Sequence, residues 1–118
     1  MSRQTAPSGV TIYHNPRCSK SRQTLALLEE QGIEPEIVEY LKTPPDAATL
    51  RALLGKLGLG PRDILRRKEA VEAGIADLDG DALIEALVEH PAAIERPIVV
   101  KGDKARLGRP PEQVLEIL

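Results

Sequence analysis

Two β-favouring runs, Val10-Thr11-Ile12-Tyr13 and Glu36-Ile37-Val38-Glu39-Tyr40-Leu41, stand on either side of a single helical pattern. A connection of that length is no hairpin, so the two strands are parallel and joined by a crossover that is right-handed by default. The first run stops at His14-Asn15-Pro16, where proline cannot continue a central ladder. From Ser19 the pattern turns helical: Ser21, Thr24, Leu25 and Leu28 fall at i, i+3, i+4 and i+7, and Gly32 supplies the left-handed stop.

Downstream, Thr43-Pro44-Pro45-Asp46 opens a second helix, with Thr43 expected as cap, Pro44 at the first helical position and Asp46 completing a near-capping-box. Leu50, Leu53, Leu54 and Leu57 line one face of it, and Gly58 and Gly60 end it. Pro61 starts a short helix through Ile64 and Leu65 that presents Arg66-Arg67-Lys68. Asp79 or Asp81 then caps a helix with Leu83, Ile84, Leu87 and Val88 inward, closed by Pro91. Ile98-Val99-Val100 and Ala105-Arg106-Leu107 flank a central Gly102-Asp103, a two-residue hairpin signal. Pro110-Pro111 leads into a last helix with Val114, Leu115 and Leu118 as its buried stripe. The order is β-α-β, three helices, β-β-α. A βαβ half and a ββα half sharing one mixed sheet is an α/β, thioredoxin-like layout, here with a three-helix insertion. Residues 1–9, small or polar with Pro and Gly, read as a flexible tail, and residues 10–118 as a single domain.

Composition narrows the function. The 118 residues include two Tyr, no Trp and no Phe, which leaves no aromatic platform for stacking nucleic-acid bases. Sixteen Lys+Arg against 18 Asp+Glu give a net charge of −2, so no bulk positive field holds a polyanion. No nucleic-acid partner is expected. There is no apolar secretory leader and no run of about 18 apolar residues, so a cytoplasmic protein with no membrane partner is expected. One cysteine, Cys18, excludes an internal disulfide and a cysteine-cluster metal site. A monomer with no bound cofactor and no metal is the expectation.

A cysteine at a helix N-terminus faces unpaired N–H groups and the positive end of the helix dipole, which lower a thiol into the range of roughly 3.5–7.5. Arg17, Lys20 and, four residues earlier, His14 are expected to add positive field in the same direction. The alternative for a lone cysteine is an inert, buried small hydrophobe, but Cys18 lies in the polar stretch Arg17-Cys18-Ser19-Lys20-Ser21. The position of a second redox cysteine holds Ser21, so a thioredoxin-type dithiol reaction is excluded and any disulfide step borrows sulfur from another molecule. Ser21 either hydrogen-bonds the Cys18 sulfur from one turn along or serves as an ordinary first-turn residue.

A phosphatase loop requires arginine six positions after the cysteine, where this chain has Thr24. Nucleotide-loop and zinc-protease motifs are also missing. Arg66, Arg96 and Arg109 each stand at an element boundary, where sites are built, and a planar guanidinium offers paired donors to an oxyanion. Arg62, Arg67 and Arg106 compete with them. Any one of these arginines read singly is more often a solvated surface charge.

The run Ile12-Tyr13-His14-Asn15-Pro16-Arg17-Cys18 resembles the ArsC family of arsenate reductases of the glutathione- and glutaredoxin-coupled type. The resemblance continues in unbroken order through Tyr40-Leu41-Lys42-Thr43-Pro44-Pro45, Ile64-Leu65-Arg66, Arg96-Pro97-Ile98-Val99-Val100 and Arg106-Leu107-Gly108-Arg109-Pro110. It implies that Cys18 is the catalytic cysteine with His14 beside it, that Arg66, Arg96 and Arg109 bind the oxyanion, and that Pro97 follows a cis peptide bond, with Ser21 in support. It implies arsenate or a similar oxyanion as substrate, glutathione as thiol co-substrate and a glutaredoxin as partner, in arsenic detoxification. Where the best-known members carry Cys-Gly-Thr-Ser and a longer C-terminus, this chain has Cys18-Ser19-Lys20-Ser21 and looks like a shorter subgroup. Two other readings stand beside it. One is a monothiol oxidoreductase acting on another oxyanion or on glutathione mixed disulfides; the other is a regulatory binding protein like Spx, whose Cys-x-x-Cys switch Ser21 removes.

Overall fold

A computed structural model of the chain describes residues 9–118, so the expected tail, apart from Gly9, lies outside the described residues. These residues fall into two compact units, one running up to Tyr40 and resuming from Arg96 to Leu118, the other Leu41–Glu95.

The first unit holds the whole sheet. Strands β1 (Val10–His14), β2 (Glu36–Glu39), β3 (Ile98–Lys101) and β4 (Lys104–Leu107) lie in the order β2-β1-β3-β4. β1 pairs parallel with β2, in the register Ile12 with Ile37 and His14 with Glu39, as the crossover through α1 (Ser19–Glu30) requires. β3 runs antiparallel to β1 and to β4, with Lys101 opposite Lys104 across the expected two-residue turn, where Gly102 has φ 63°. This mixed sheet bears out the α/β reading. Val10, Ile12, Leu28, Val99 and Val114 form a fully buried aliphatic cluster between the sheet, α1 and the C-terminal segment.

That C-terminal segment corrects one expectation. Pro111–Ile117 is a 3₁₀ helix, so Pro111 and Val114, three apart, are buried while Leu115 is 40% exposed. An α-helical stripe through Val114, Leu115 and Leu118 does not form, because side chains eclipse every third residue in this tighter helix.

The second unit is helical: α2 (Ala47–Leu57), α3 (Arg67–Ala73) and α4 (Gly80–Glu89), with 3₁₀ turns at Pro61–Ile64 and Pro91–Ala93. Asp46, not Thr43, caps α2, accepting the Thr49 N–H at 2.8 Å, since two prolines ahead of Asp46 hold the backbone extended. Asp79 caps α4, and Leu83, Ile84 and Leu87 turn inward as their spacing predicts. The short helix α3 was not anticipated. Its seven residues bury only Ala70, too few apolar positions to set a period. Among the described residues no helix is long and apolar enough to cross a membrane.

Candidate active site

The alternation of β1 decides where the first site residue goes. Val10, Ile12 and His14 share the buried face, so His14 enters the core at the strand's end, 5% exposed, just before the chain turns into the cysteine loop. Asn15 pins that loop from inside. Its carbonyl accepts the Cys18 N–H at 3.0 Å, its side-chain oxygen accepts the Arg17 N–H at 3.0 Å, and its own N–H donates to Ser21 Oγ at 3.0 Å. Nothing in the spacing had marked Asn15 as a site residue, although asparagine ahead of proline is itself a turn signal.

Cys18 occupies the N-cap of α1 with extended backbone (φ −91°, ψ 124°) and is partly exposed. At the same end of the sheet, Arg109 Nη2 lies 3.6 Å from Cys18 Sγ, and Arg109 Nε donates to the Arg96 carbonyl at 2.8 Å. One planar group thus ties the strand entry at Arg96 to the thiol. The Arg96–Pro97 bond is cis, as expected, and so is Arg109–Pro110. Pro97 is buried, and its carbonyl accepts the Gly108 N–H at 2.9 Å.

Gly108 fits only because it lacks a side chain: a Cβ there would stand 2.5 Å from Thr24 Oγ1 and 2.7 Å from Pro97 Cγ. Thr24 in turn donates to the Lys20 carbonyl at 2.8 Å. Close approach of the Arg109 segment to α1 depends on this glycine.

Burial pushes the Cys18 thiol up, but opposing influences prevail. The Ser21 amide, the Arg96 guanidinium through its hydrogen bond and its charge, and the Lys20 amide together hold the thiol below its ordinary value. The sulfur makes no capping hydrogen bond of standard geometry, so the amides act at longer range than a true cap. Around it α1 is charged against its own dipole: Lys20 and Arg22 occupy the first turn, with no acidic residue there and no basic residue in the last turn. Arg17, Lys20 and Arg22 are all exposed.

Two expectations change here. Burial, and then the Arg22 charge, lower the His14 pKa against the opposing pull of Glu39, so His14 is held toward its neutral form and does not add the positive field expected of it. Ser21 meets the thiol through its backbone amide; its hydroxyl is engaged elsewhere, 2.6 Å from His14 Nδ1.

Arg66 belongs to the helical unit, at the N-cap of α3. Its Nη1 donates to Glu95 at 2.8 Å and its Nε to Glu69 at 3.3 Å. Burial works against its charge, and Glu95 and Glu69 more than restore it. Two of the competing arginines have other partners. Arg62 binds the carbonyls of Ala76 and Leu78, and Arg106 binds Glu116.

The model of the ArsC family matches residues 13–117 of this chain. The uncharacterized protein YfgD of Escherichia coli K12 is 60% identical over 92% of this chain and 96% of its own length. An arsenate reductase of Haemophilus influenzae is 50% identical over 92% of this chain and 98% of its own length. Among solved structures, an arsenate reductase from Vibrio cholerae superposes with a TM-score of 0.85 at 55% identity, covering 92% of this chain and 97% of the other.

Proposed function

Because the chain belongs to the ArsC family, we propose that it is an arsenate reductase whose nucleophile is Cys18. The observation that carries this reading is the Arg109 guanidinium 3.6 Å from a lowered, partly exposed thiol, backed by the Arg96 charge. A thiolate with cationic planar donors beside it is suited to an oxyanion, because the donors stabilise the charge that develops as an oxygen leaves. Arg66 joins Arg96 and Arg109 as an oxyanion-binding residue on the sequence resemblance.

In the proposed reaction the Cys18 thiolate displaces one arsenate oxygen, which leaves as water after taking up protons, and a sulfur–arsenic(V) bond forms. Glutathione thiolate then attacks the Cys18 sulfur, and the electron pair of the sulfur–arsenic bond stays on arsenic. Arsenic(V) becomes arsenic(III) and departs as arsenite, and the two sulfurs are joined as a mixed disulfide. The chain has no second cysteine, so a glutaredoxin reduces that disulfide and restores Cys18. No resident cofactor or metal is needed, and the protein works as a cytoplasmic monomer in arsenic detoxification.

The test is arsenite formation from arsenate by the purified chain with glutathione and a glutaredoxin system, with Cys18→Ser as control. Turnover that the variant abolishes is expected. Absence of turnover while Cys18 remains an acidic, alkylatable thiol would reject arsenate and leave another oxyanion or a glutathione mixed disulfide as substrate.

A further inference from the structure

Two carboxylates hold Arg66, and the path of the chain explains how they reach it. Leu65 and Ile94 form an isolated antiparallel bridge, flanked by the Arg66 N–H donating to the Ala93 carbonyl and the Glu95 N–H donating to the Ile64 carbonyl, both at 2.7 Å. Arg66 and Glu95 are therefore diagonal neighbours across that bridge, a spacing two long side chains span. Glu69 arrives from a different element, three residues on in the first turn of α3. Glu95 takes Nη1 and Glu69 takes Nε, with the three side chains 22–26% exposed. Neither bond uses Nη2, and no other described residue takes a side-chain hydrogen bond from Arg66. Two carboxylates against one guanidinium leave a net negative charge, so this trio does not draw an anion by its own field. What it offers is a fixed pair of N–H donors on Nη2.

We propose that Glu95 is a positioning residue for oxyanion binding: its carboxylate fixes the Arg66 guanidinium so that Nη2 is held ready for an acceptor oxygen, with Glu69 as the second hold. The inference rests on the reading of Arg66 as an oxyanion ligand and adds what keeps that ligand in place. An arginine side chain is long and flexible, and ordering it at the moment of binding costs affinity. A guanidinium fixed at Nε and Nη1 has lost that freedom before the anion arrives. Glu95 directly precedes Arg96, whose carbonyl accepts Arg109 Nε at 2.8 Å. Consecutive residues thus each hold one of the other two arginines, Glu95 through its side chain and Arg96 through its main chain. Glu95 acts through Arg66, without touching substrate.

The test is the protection of Cys18 from iodoacetamide by arsenate, on the full chain without glutathione. Rates with and without arsenate are taken on each variant, so changes in thiol reactivity cancel, and melting temperature is recorded throughout. Arg66→Ala and Glu95→Ala are each expected to raise the half-protecting arsenate concentration roughly tenfold, the effect of losing one charge-assisted hydrogen bond. The sign is decisive, because removing a carboxylate that only opposes the anion would lower that concentration. Unchanged or tighter protection in Glu95→Ala, with Arg66→Ala weakened, would overturn the proposal and leave the oxyanion reading standing. In an Arg66→Ala background Glu95→Ala should cause no further loss; a second, additive loss would mean a general structural role and would overturn the proposal too. Glu95→Asp keeps the charge but, one methylene shorter, draws the carboxylate back from Nη1. It is expected to weaken protection as well, and it decides if Glu95→Ala does not fold. Unchanged protection in Arg66→Ala, or none in the wild type, would instead reject the oxyanion reading of Arg66 and this inference with it.

Discussion

Arg109 brings a guanidinium nitrogen to 3.6 Å from the Cys18 sulfur although 91 positions separate the two residues in the chain. The contact is possible because β3 lies between β1 and β4 and runs antiparallel to both, so the loops that follow β1 and β4 leave the same end of the sheet. Arg109 Nε holds the Arg96 carbonyl through the same planar group, which makes the pair a unit. Lysine, with one flexible ammonium, cannot make both bonds in that geometry.

Arg109→Ala and Arg96→Ala should therefore lose arsenite formation by roughly 100- to 1,000-fold, the usual effect of removing one donor from a developing oxyanion. Arg109→Lys should not recover it. At alkaline pH, where the thiol is ionised in either case, iodoacetamide should still alkylate Cys18 at the wild-type rate. Parallel loss of both readouts at high pH would mean that the arginines support the fold instead.

The direction of the Cys18 shift sets a stability profile as well. The folded thiol releases its proton at a lower pH than the unfolded one. Between the two values unfolding takes up a proton, so this contribution is complete above the unfolded thiol's ordinary value of roughly 8.5 and is lost as pH falls through the folded value. The stability of the wild type relative to Cys18→Ser, from urea midpoints, should grow with pH through that window and then level off. A difference that shrinks as pH rises would contradict the shift.

Gly108→Ala should be destabilising by about 1–3 kcal/mol, because its methyl collides with Thr24 and Pro97 in a packed site. Gly55→Ala is the control. It lies inside α2 with nothing within 4 Å of the added methyl, so it should gain up to about 1 kcal/mol. Thermal melts of the two variants should move in opposite directions, and reductase activity should fall only in the first.

Charge placed against the α1 dipole predicts a preference among reagents. With Arg17, Lys20 and Arg22 exposed around the thiol, iodoacetate should gain on iodoacetamide relative to a small-molecule thiol of matched pKa. The gain should diminish as ionic strength rises and in a Lys20→Gln variant. A ratio unaffected by salt would show that these cations do not steer anions to the sulfur.

Local rules read most of the frame. The parallel crossover, the Gly102-Asp103 hairpin, the inward face of α4 and the placement of Cys18 at a helix start all follow from spacing, capping and turn chemistry within a few residues. Where those rules were ambiguous, packing decided. Pro111–Ile117 wound as a 3₁₀ helix to bury Pro111 and Val114, and α3 formed with too little apolar pattern to announce itself.

By itself, the sequence determined a reactive-cysteine candidate, its helix and the three arginines worth watching, because each depends on neighbours along the chain. Tertiary structure alone decided that Arg109 meets the sulfur, that His14 is buried and held toward neutrality, and that Ser21 turns its hydroxyl to His14 and its amide to Cys18. Those outcomes depend on strand neighbours, desolvation and the competition of several donors for one acceptor. All three arise only when distant segments are packed together, and no spacing within a segment encodes them.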